Sequence, residues 1–175
     1  MMTFRTGIAA VALMGLSACA NNPFGSAADD ALSAGGADGA GVLGADGTVI
    51  QEGSIAFFNQ RVGDTVQFVV DQSSLTPEGI AILNGQADFL VQNTQYTAVV
   101  EGHADEQGTR EYNLGLGARR ASSVFNYLVS RGVAENRLET VTLGKERPLA
   151  TCSDESCWSQ NRRAQTVVSG GGFGS

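Results

Sequence analysis

One histidine, one tryptophan, three prolines and three cysteines are all that 175 residues contain of those types, and 11 lysines and arginines face 18 acids. Each shortage excludes something. A formal net charge of −7 repels phosphate backbones and anionic lipid surfaces, so nucleic acid is not an expected partner, whereas a zwitterionic or mixed-charge ligand is compatible. A zinc site usually takes three or four Cys, His or acidic ligands, and one histidine with two spare thiols makes a poor start on that set. No metal or other cofactor is expected. Nor is an enzyme: no Ser-x-x-Lys, histidine cluster or Cys–His pair with an orienting group stands out. No apolar run reaches the roughly 20 residues that a mature bilayer-crossing helix needs.

What is present begins with a targeting segment. Arg5 precedes an apolar run from about Ile8 to Leu16, the layout of a secretory signal peptide over residues 1–18. Leu16-Ser17-Ala18-Cys19 resembles the bacterial lipobox. That resemblance implies cleavage before Cys19, a diacylglycerol on its thiol and a further acyl chain on its new amine, and several chains hold a protein stably where one does not. Cleavage there removes Arg5 and no acid, leaving the chain one unit more negative. Ala20 follows, where aspartate would resemble an inner-membrane retention signal. The expected location is the outer membrane, lipid-anchored, with the folded part facing the periplasm.

Residues 20–53 are rich in Gly, Ala and Asp and bury too little apolar surface to offset their ordering entropy. The expectation is a flexible tether over 19–53. As a coil of roughly 34 residues it spans about 30 Å, with a stretched limit near 110 Å. A domain is expected over 54–168 and a loose tail over 169–175. Within the domain, Thr65-Val66-Gln67-Phe68-Val69-Val70 reads as a strand. Thr76-Pro77-Glu78 supplies a cap and an N1 proline for a helix with Ile80, Leu83, Ala87 and Leu90 on one face. A strand over 96–101 and a loop over 102–108 lead into a helix over 109–131, with Leu114, Ala121, Val124, Phe125 and Leu128 inward and Gly132 ending it. A strand over 138–143, a short helix over 153–161 and a strand over 163–168 complete β-α-β-α-β-α-β. This is an α+β fold, one mixed four-stranded sheet with helices packed on one face.

With Cys19 lipidated, Cys152 and Cys157 remain. In the periplasm, where disulfides persist, their spacing closes a small ring worth about 2 kcal/mol by loop entropy. The competing use of both thiols with His103 as a metal site lacks a further ligand. His103 itself reads more readily as a hydrogen-bonded structural residue than as a catalytic base.

The informative stretch is VEGHADEQGTREYNLGLGARRASSV, residues 100–124. Asp105 lies in the loop before the long helix. Asn113 and Arg120 are seven residues apart on that helix, so both project from nearly the same side, with Gly117 between them allowing close approach. An anion, a cation and an amide together suit a ligand with an ammonium and a carboxylate on one carbon: arginine forks onto the carboxylate and aspartate accepts from the ammonium. Asp105 and Arg120 serve equally well as an internal ion pair across the loop.

Residues 65–168 resemble the OmpA-like C-terminal domain family, most closely the peptidoglycan-associated lipoproteins within it. The resemblance rests on Val100-Glu101-Gly102-His103-Ala104-Asp105-Glu106-Gln107-Gly108-Thr109, Glu111-Tyr112-Asn113, Arg119-Arg120-Ala121, Arg131-Gly132-Val133, Gly144-Lys145-Glu146-Arg147-Pro148 and Asn161-Arg162-Arg163-Ala164. It implies non-covalent binding of peptidoglycan through the meso-diaminopimelate of the stem peptide. Asp105 and Arg120 would grip the ends of that amino acid, Asn113 would support them, and Phe68 and Asp71 match the family's first strand. Gln67 and Val70 stand where the family has Tyr and Phe. The cysteine pair is not a family requirement. Arg162 and Arg163 match a late arginine pair that either braces the pocket, meets glycan polar groups or forms strand-end salt bridges. The resemblance further implies TolB and the Tol complex as partners, in envelope integrity and cell division. A wall anchor of a motor or secretion system would share the pocket but usually carries a transmembrane helix.

Overall fold

The computed structural model describes residues 41–44 and 47–170. The expected signal peptide, Cys19, most of the tether and the last five residues lie outside the described residues. What is described belongs to one compact unit, Gly39–Ser175.

The first elements correct the tether boundary. β1 (Gly41–Leu43) and β2 (Val49–Gln51) pair antiparallel, with Val42 opposite Ile50. Ile50 is buried, and Arg61 Nη2 donates to Leu43 O at 3.0 Å. Averaged over the whole stretch, Gly, Ala and Asp hid a local run of Val, Leu and Ile around a Gly-containing turn, which is hairpin chemistry. Helix α1 (Ile55–Phe57) follows, capped by Ser54 Oγ, and continues as a π-helical turn over Phe58–Val62. Phe58 is fully buried, and the Phe58 and Phe89 rings lie 5.0 Å apart. Tyr96 OH donates to Gly53 O at 3.0 Å, so the domain starts before residue 54.

The main sheet has the order β3-β6-β4-β5: β3 (Thr65–Gln67), β4 (Tyr96–His103), β5 (Leu138–Gly144) and β6 (Arg163–Gly170). β4 and β5 run parallel and the other pairs antiparallel, giving the expected mixed sheet. Helices α2 (Pro77–Gln92) and α3 (Arg110–Ser130) begin at Thr76 and Thr109, whose hydroxyls accept from Gly79 N and Tyr112 N. Val66, Ala98, Val100, Ala164, Thr166 and Val168 are buried, whereas Val141 and Val167 are exposed. That alternation marks an antiparallel-type sheet covered on one face.

Several boundaries move. β3 is shorter than the expected 65–70 because the chain turns at 69–72: Gln72 N donates to Val69 O at 3.1 Å, and Asp71 adopts φ 58°. β6 runs on to Gly170, past the expected end at 168, because Ser169 and Gly170 pair with Thr97 and Tyr96. On α2, Ile80 is exposed and Gln86 is buried. Gln86 donates to Gly63 O at 2.7 Å and accepts from Thr166 Oγ1 at 2.8 Å, so a glutamine belongs to the core stripe. On α3, Leu116 is buried where Leu114 was expected.

The seating of α3 depends on Gly102 and Gly117. A Cβ on Gly102 would sit 1.9 Å from Gly117 O, and one on Gly117 would sit 2.7 Å from Gly102 O. Backbone therefore meets backbone, and Thr142 Oγ1 donates to Leu114 O at 2.7 Å. The room left by Gly117 is taken by strand β4. This contact sets the height of α3 over the sheet and hence the position of everything at its N-terminal end.

Candidate functional site

β4 ends at His103, and the next six residues lead into α3. Asn113 Nδ2 donates to Gln107 O at 2.7 Å, and Lys145 Nζ donates to Gly108 O at 2.7 Å. Asp105 Oδ1 accepts from Gln107 N at 3.2 Å, an Asx turn that fixes its carboxylate. Across from this loop lies the 69–72 turn, where the Asp71 carboxylate accepts from the Tyr112 hydroxyl. Between them opens a cleft of about 330 Å³ lined by Val70, Asp71, Asp105, Gln107, Gly108, Tyr112, Asn113 and Leu116. A larger groove of about 490 Å³ between β3 and α2 has Glu78 as its one charged wall residue among the described residues. Volume favours the groove, but the chemistry favours the cleft, where two carboxylates converge with a buried amide.

Arg120 corrects an expectation. Its guanidinium is fully buried. Nε donates to Gln72 O at 2.9 Å, Nη1 to His103 O at 2.8 Å and Nη2 to Val69 O at 3.2 Å. Its Cζ lies 5.2 Å from the Phe68 ring centroid, within cation–π range. Arg120 thus holds the 69–72 turn by its carbonyls and is not among the residues lining the cleft; no fork is open to a ligand in this state. The seven-residue spacing does align Asn113 and Arg120, but that stripe of α3 faces the protein interior, and both side chains are spent on backbone carbonyls. Phe68 is likewise buried, with its ring face toward the Arg120 cation. Burial pulls the Arg120 pKa down to about 10 against the pull of the Asp105 carboxylate, so Arg120 remains a cation at neutral pH.

The ion-pair partner of Asp105 is Arg162, with Nη1 3.2 Å from Oδ2. The same guanidinium is held by both oxygens of Glu155. Burial opposes the Arg162 charge, but Glu155 and Asp105 overcome it and raise the pKa. Of the readings open for Arg162, strand-end salt bridging is what the geometry shows: it immediately precedes β6 and pairs with Asp105 and Glu155. Arg163 donates to Arg147 O at 3.3 Å.

Sequence reasoning missed Tyr112, Gln107 and Val70. Tyr112 and Gln107 stood inside the motif that carried the family resemblance, so membership in the motif was an available signal. Val70 was quoted as a departure from the family strand, yet it lines the cleft because the strand ends early.

His103 is 1% exposed and does not line the cleft; Nε2 lies 3.7 Å from a Glu101 carboxylate oxygen. Burial, then the Arg163 charge, lowers its pKa to about 4, so it is neutral at pH 7. Cys152 and Cys157 form the expected disulfide. Asp154 lies near both sulfurs, but bonded sulfurs offer no thiolate to a metal.

The profile of the OmpA family matches residues 67–166. The chain belongs to the OmpA family. Among its OmpA-family relatives is the peptidoglycan-associated lipoprotein of Mesorhizobium japonicum, 48% identical over 94% of this chain and 92% of that one. The protein of the same name from Rhizobium meliloti is 51% identical over 77% of this chain and 76% of that one. Membership therefore extends to the peptidoglycan-associated lipoproteins. The crystal structure of the peptidoglycan-associated lipoprotein from Burkholderia pseudomallei superposes with a TM-score of 0.59 at 40% identity, covering 61% of this chain and 90% of that one. The C-terminal domain of Helicobacter pylori MotB, at 21% identity and a TM-score of 0.56 over 61% of this chain and 84% of that one, shares the OmpA-family fold. No helix among the described residues is long and apolar enough to cross a membrane.

Proposed function

We propose that this chain is an outer-membrane lipoprotein that binds peptidoglycan non-covalently and without catalysis, anchored through Cys19 with its domain in the periplasm. One observation carries this reading: Asp71 and Asp105 share an open cleft, and the buried, protonated Arg120, itself outside the cleft lining, interacts electrostatically with both. A ligand ammonium finds two carboxylates there. A carboxylate on the same carbon is drawn toward the nearby Arg120 cation, because opposite charges at the protein surface attract at short range. The free end of meso-diaminopimelate in the wall's stem peptide has that pair of groups. Asp105 and Asp71 take the ammonium, and Asn113 holds the loop that presents Asp105. Arg120 supplies the field near the cleft and reaches the ligand carboxylate directly where that carboxylate replaces Gln72 O or Val69 O on the guanidinium. Phe68 acts only through Arg120.

A single modest pocket suffices, because the lipid anchor confines the domain beside its ligand and many copies act together. TolB and the Tol complex are the partners this reading adds, placing the protein in envelope integrity and cell division.

The test is co-sedimentation of the purified full chain with diaminopimelate-type wall and with lysine-type wall, which lacks the side-chain carboxylate. Retention on the first and loss on the second is expected; equal retention on both rejects diaminopimelate as the ligand. Release of muropeptides during incubation would instead establish an enzyme. A globomycin-sensitive size shift checks acylation of Cys19.

A further inference from the structure

Helix α4 (Glu155–Asn161) is seven residues long, too short to persist on its own helix propensity. It is held at both ends. Asp154 caps it, with Oδ1 accepting from Ser156 N at 2.8 Å, and the Cys152–Cys157 bridge encloses that cap and the first turn. At the far end Asn161 Oδ1 accepts from Leu149 N at 2.7 Å and from Ala150 N at 3.1 Å. Two side chains then run from α4 toward the loop that carries Asp105. Glu155 grips Arg162, whose Nη1 lies 3.2 Å from Asp105 Oδ2. Trp158 Nε1 donates to Glu106 Oε1 at 3.1 Å, beside Asp105 in the same loop.

From this geometry we infer that the Cys152–Cys157 disulfide tunes the affinity of the cleft, with Glu155 and Arg162 as the positioning residues that carry its effect to Asp105. The inference rests on the binding reading above. Glu155 takes part of the Arg162 charge and so leaves Asp105 free to attract a ligand ammonium. Opening the bridge restores chain entropy to residues 152–157, frays the first turn of α4 and withdraws Glu155. Arg162 then pairs with Asp105 alone and competes with the ligand, while the loop loses its Trp158 tie. Both changes weaken binding. Reduction by dithiothreitol passes two electrons and two protons to the two sulfurs, giving two thiols, and the dithiol closes to its own cyclic disulfide.

The test measures retention on diaminopimelate-type wall for the oxidised full chain, the same chain with dithiothreitol, Glu155→Gln, the Cys152→Ser/Cys157→Ser pair, and all three substitutions together. Each of the first three perturbations is expected to weaken retention roughly three- to tenfold. The triple variant is expected to lose little more than the cysteine pair alone, the non-additivity of residues acting along one path. Trp158 is the sole tryptophan, so its emission reports the brace directly and is expected to shift on reduction in the intact fold. A bridge that merely stabilised the domain would lower the unfolding midpoint, leave folded-state affinity unchanged and add to Glu155→Gln; that pattern overturns the inference, and so does undiminished retention in Glu155→Gln. Failure of the oxidised wild type to bind the wall would remove the binding reading and this inference together, whereas a binding wild type with unaffected variants removes the inference alone.

Discussion

The two ends of strand β4 use the same device to different effect. Where the strand begins, Arg137 donates to the carbonyls of Leu90, Asn93 and Tyr96, closing the C-terminus of α2 onto the sheet. Where it ends, Arg120 donates to the carbonyls of Val69, Gln72 and His103. Among the described residues, each guanidinium donates to backbone carbonyls and forms no salt bridge with a carboxylate. The neighbours differ. At the Arg137 end, Phe89 and Tyr96 stack their rings 5.8 Å apart. Beside Arg120 are Asp71 and Asp105, both open to one cleft. A carbonyl-clasped arginine is by itself a structural clamp. The acids placed beside one of the two clamps are what turn that end of the sheet toward a ligand.

Replacing each clamp breaks the comparison most directly. Arg120→Met removes the Arg120 donor from the buried His103 carbonyl and loosens the 69–72 turn, where Val69 O keeps only its bond from Gln72 N; since a buried group left unsatisfied costs about 1–3 kcal/mol and a net hydrogen bond about 1 kcal/mol, a loss of about 3 kcal/mol in urea unfolding is expected together with loss of wall retention. Arg137→Met, at the half-buried end, is expected to cost about 2 kcal/mol while the folded protein still binds the wall. Equal binding losses at matched stability would show that the two ends do not differ in role. Asp105→Asn comes next. It keeps shape and removes charge, and since a charge-assisted hydrogen bond contributes about 1.5–3 kcal/mol, retention should fall roughly tenfold to a hundredfold. Stability should change little, because Glu155 still holds Arg162. An intact domain with undiminished retention would leave the cleft without its main anion.

The smallest effect concerns pH. His103 titrates near 4 when folded, against an ordinary value of 6.5, because burial and then Arg163 disfavour its charge. The unfolded chain therefore takes up the proton first. The contribution of His103 is fully present above about pH 6.5 and is lost as pH falls through about 4. His103→Gln should flatten the unfolding midpoint between pH 6.5 and 4 relative to wild type. An unchanged slope would mean that another group carries the acid sensitivity.

Much of the fold could be read in advance because its signals are local. Thr76-Pro77 and Thr109 start helices by satisfying amide hydrogens within three residues, and the strand runs alternate at period two. The hairpin at 41–51 was missed because it holds few residues and lies in a stretch whose overall composition resembles a linker. The end of β3 was missed because nothing in Thr-Val-Gln-Phe-Val-Val shows that Arg120, far along the chain, will claim the carbonyls of Val69 and Gln72 and bend the backbone there.

The candidate site divides in the same way. Sequence by itself determined which residues are available: the acids and the amide around the start of α3, the phenylalanine before them, the two cysteines, and the family motifs that hold them. Only the tertiary structure decided their roles. It turned Arg120 inward, because a guanidinium in that stripe of α3 meets carbonyls of the interior. It gave Asp105 a different partner in Arg162. Helical spacing reports which side chains share a face, whereas burial and pairing depend on which distant segment packs against that face.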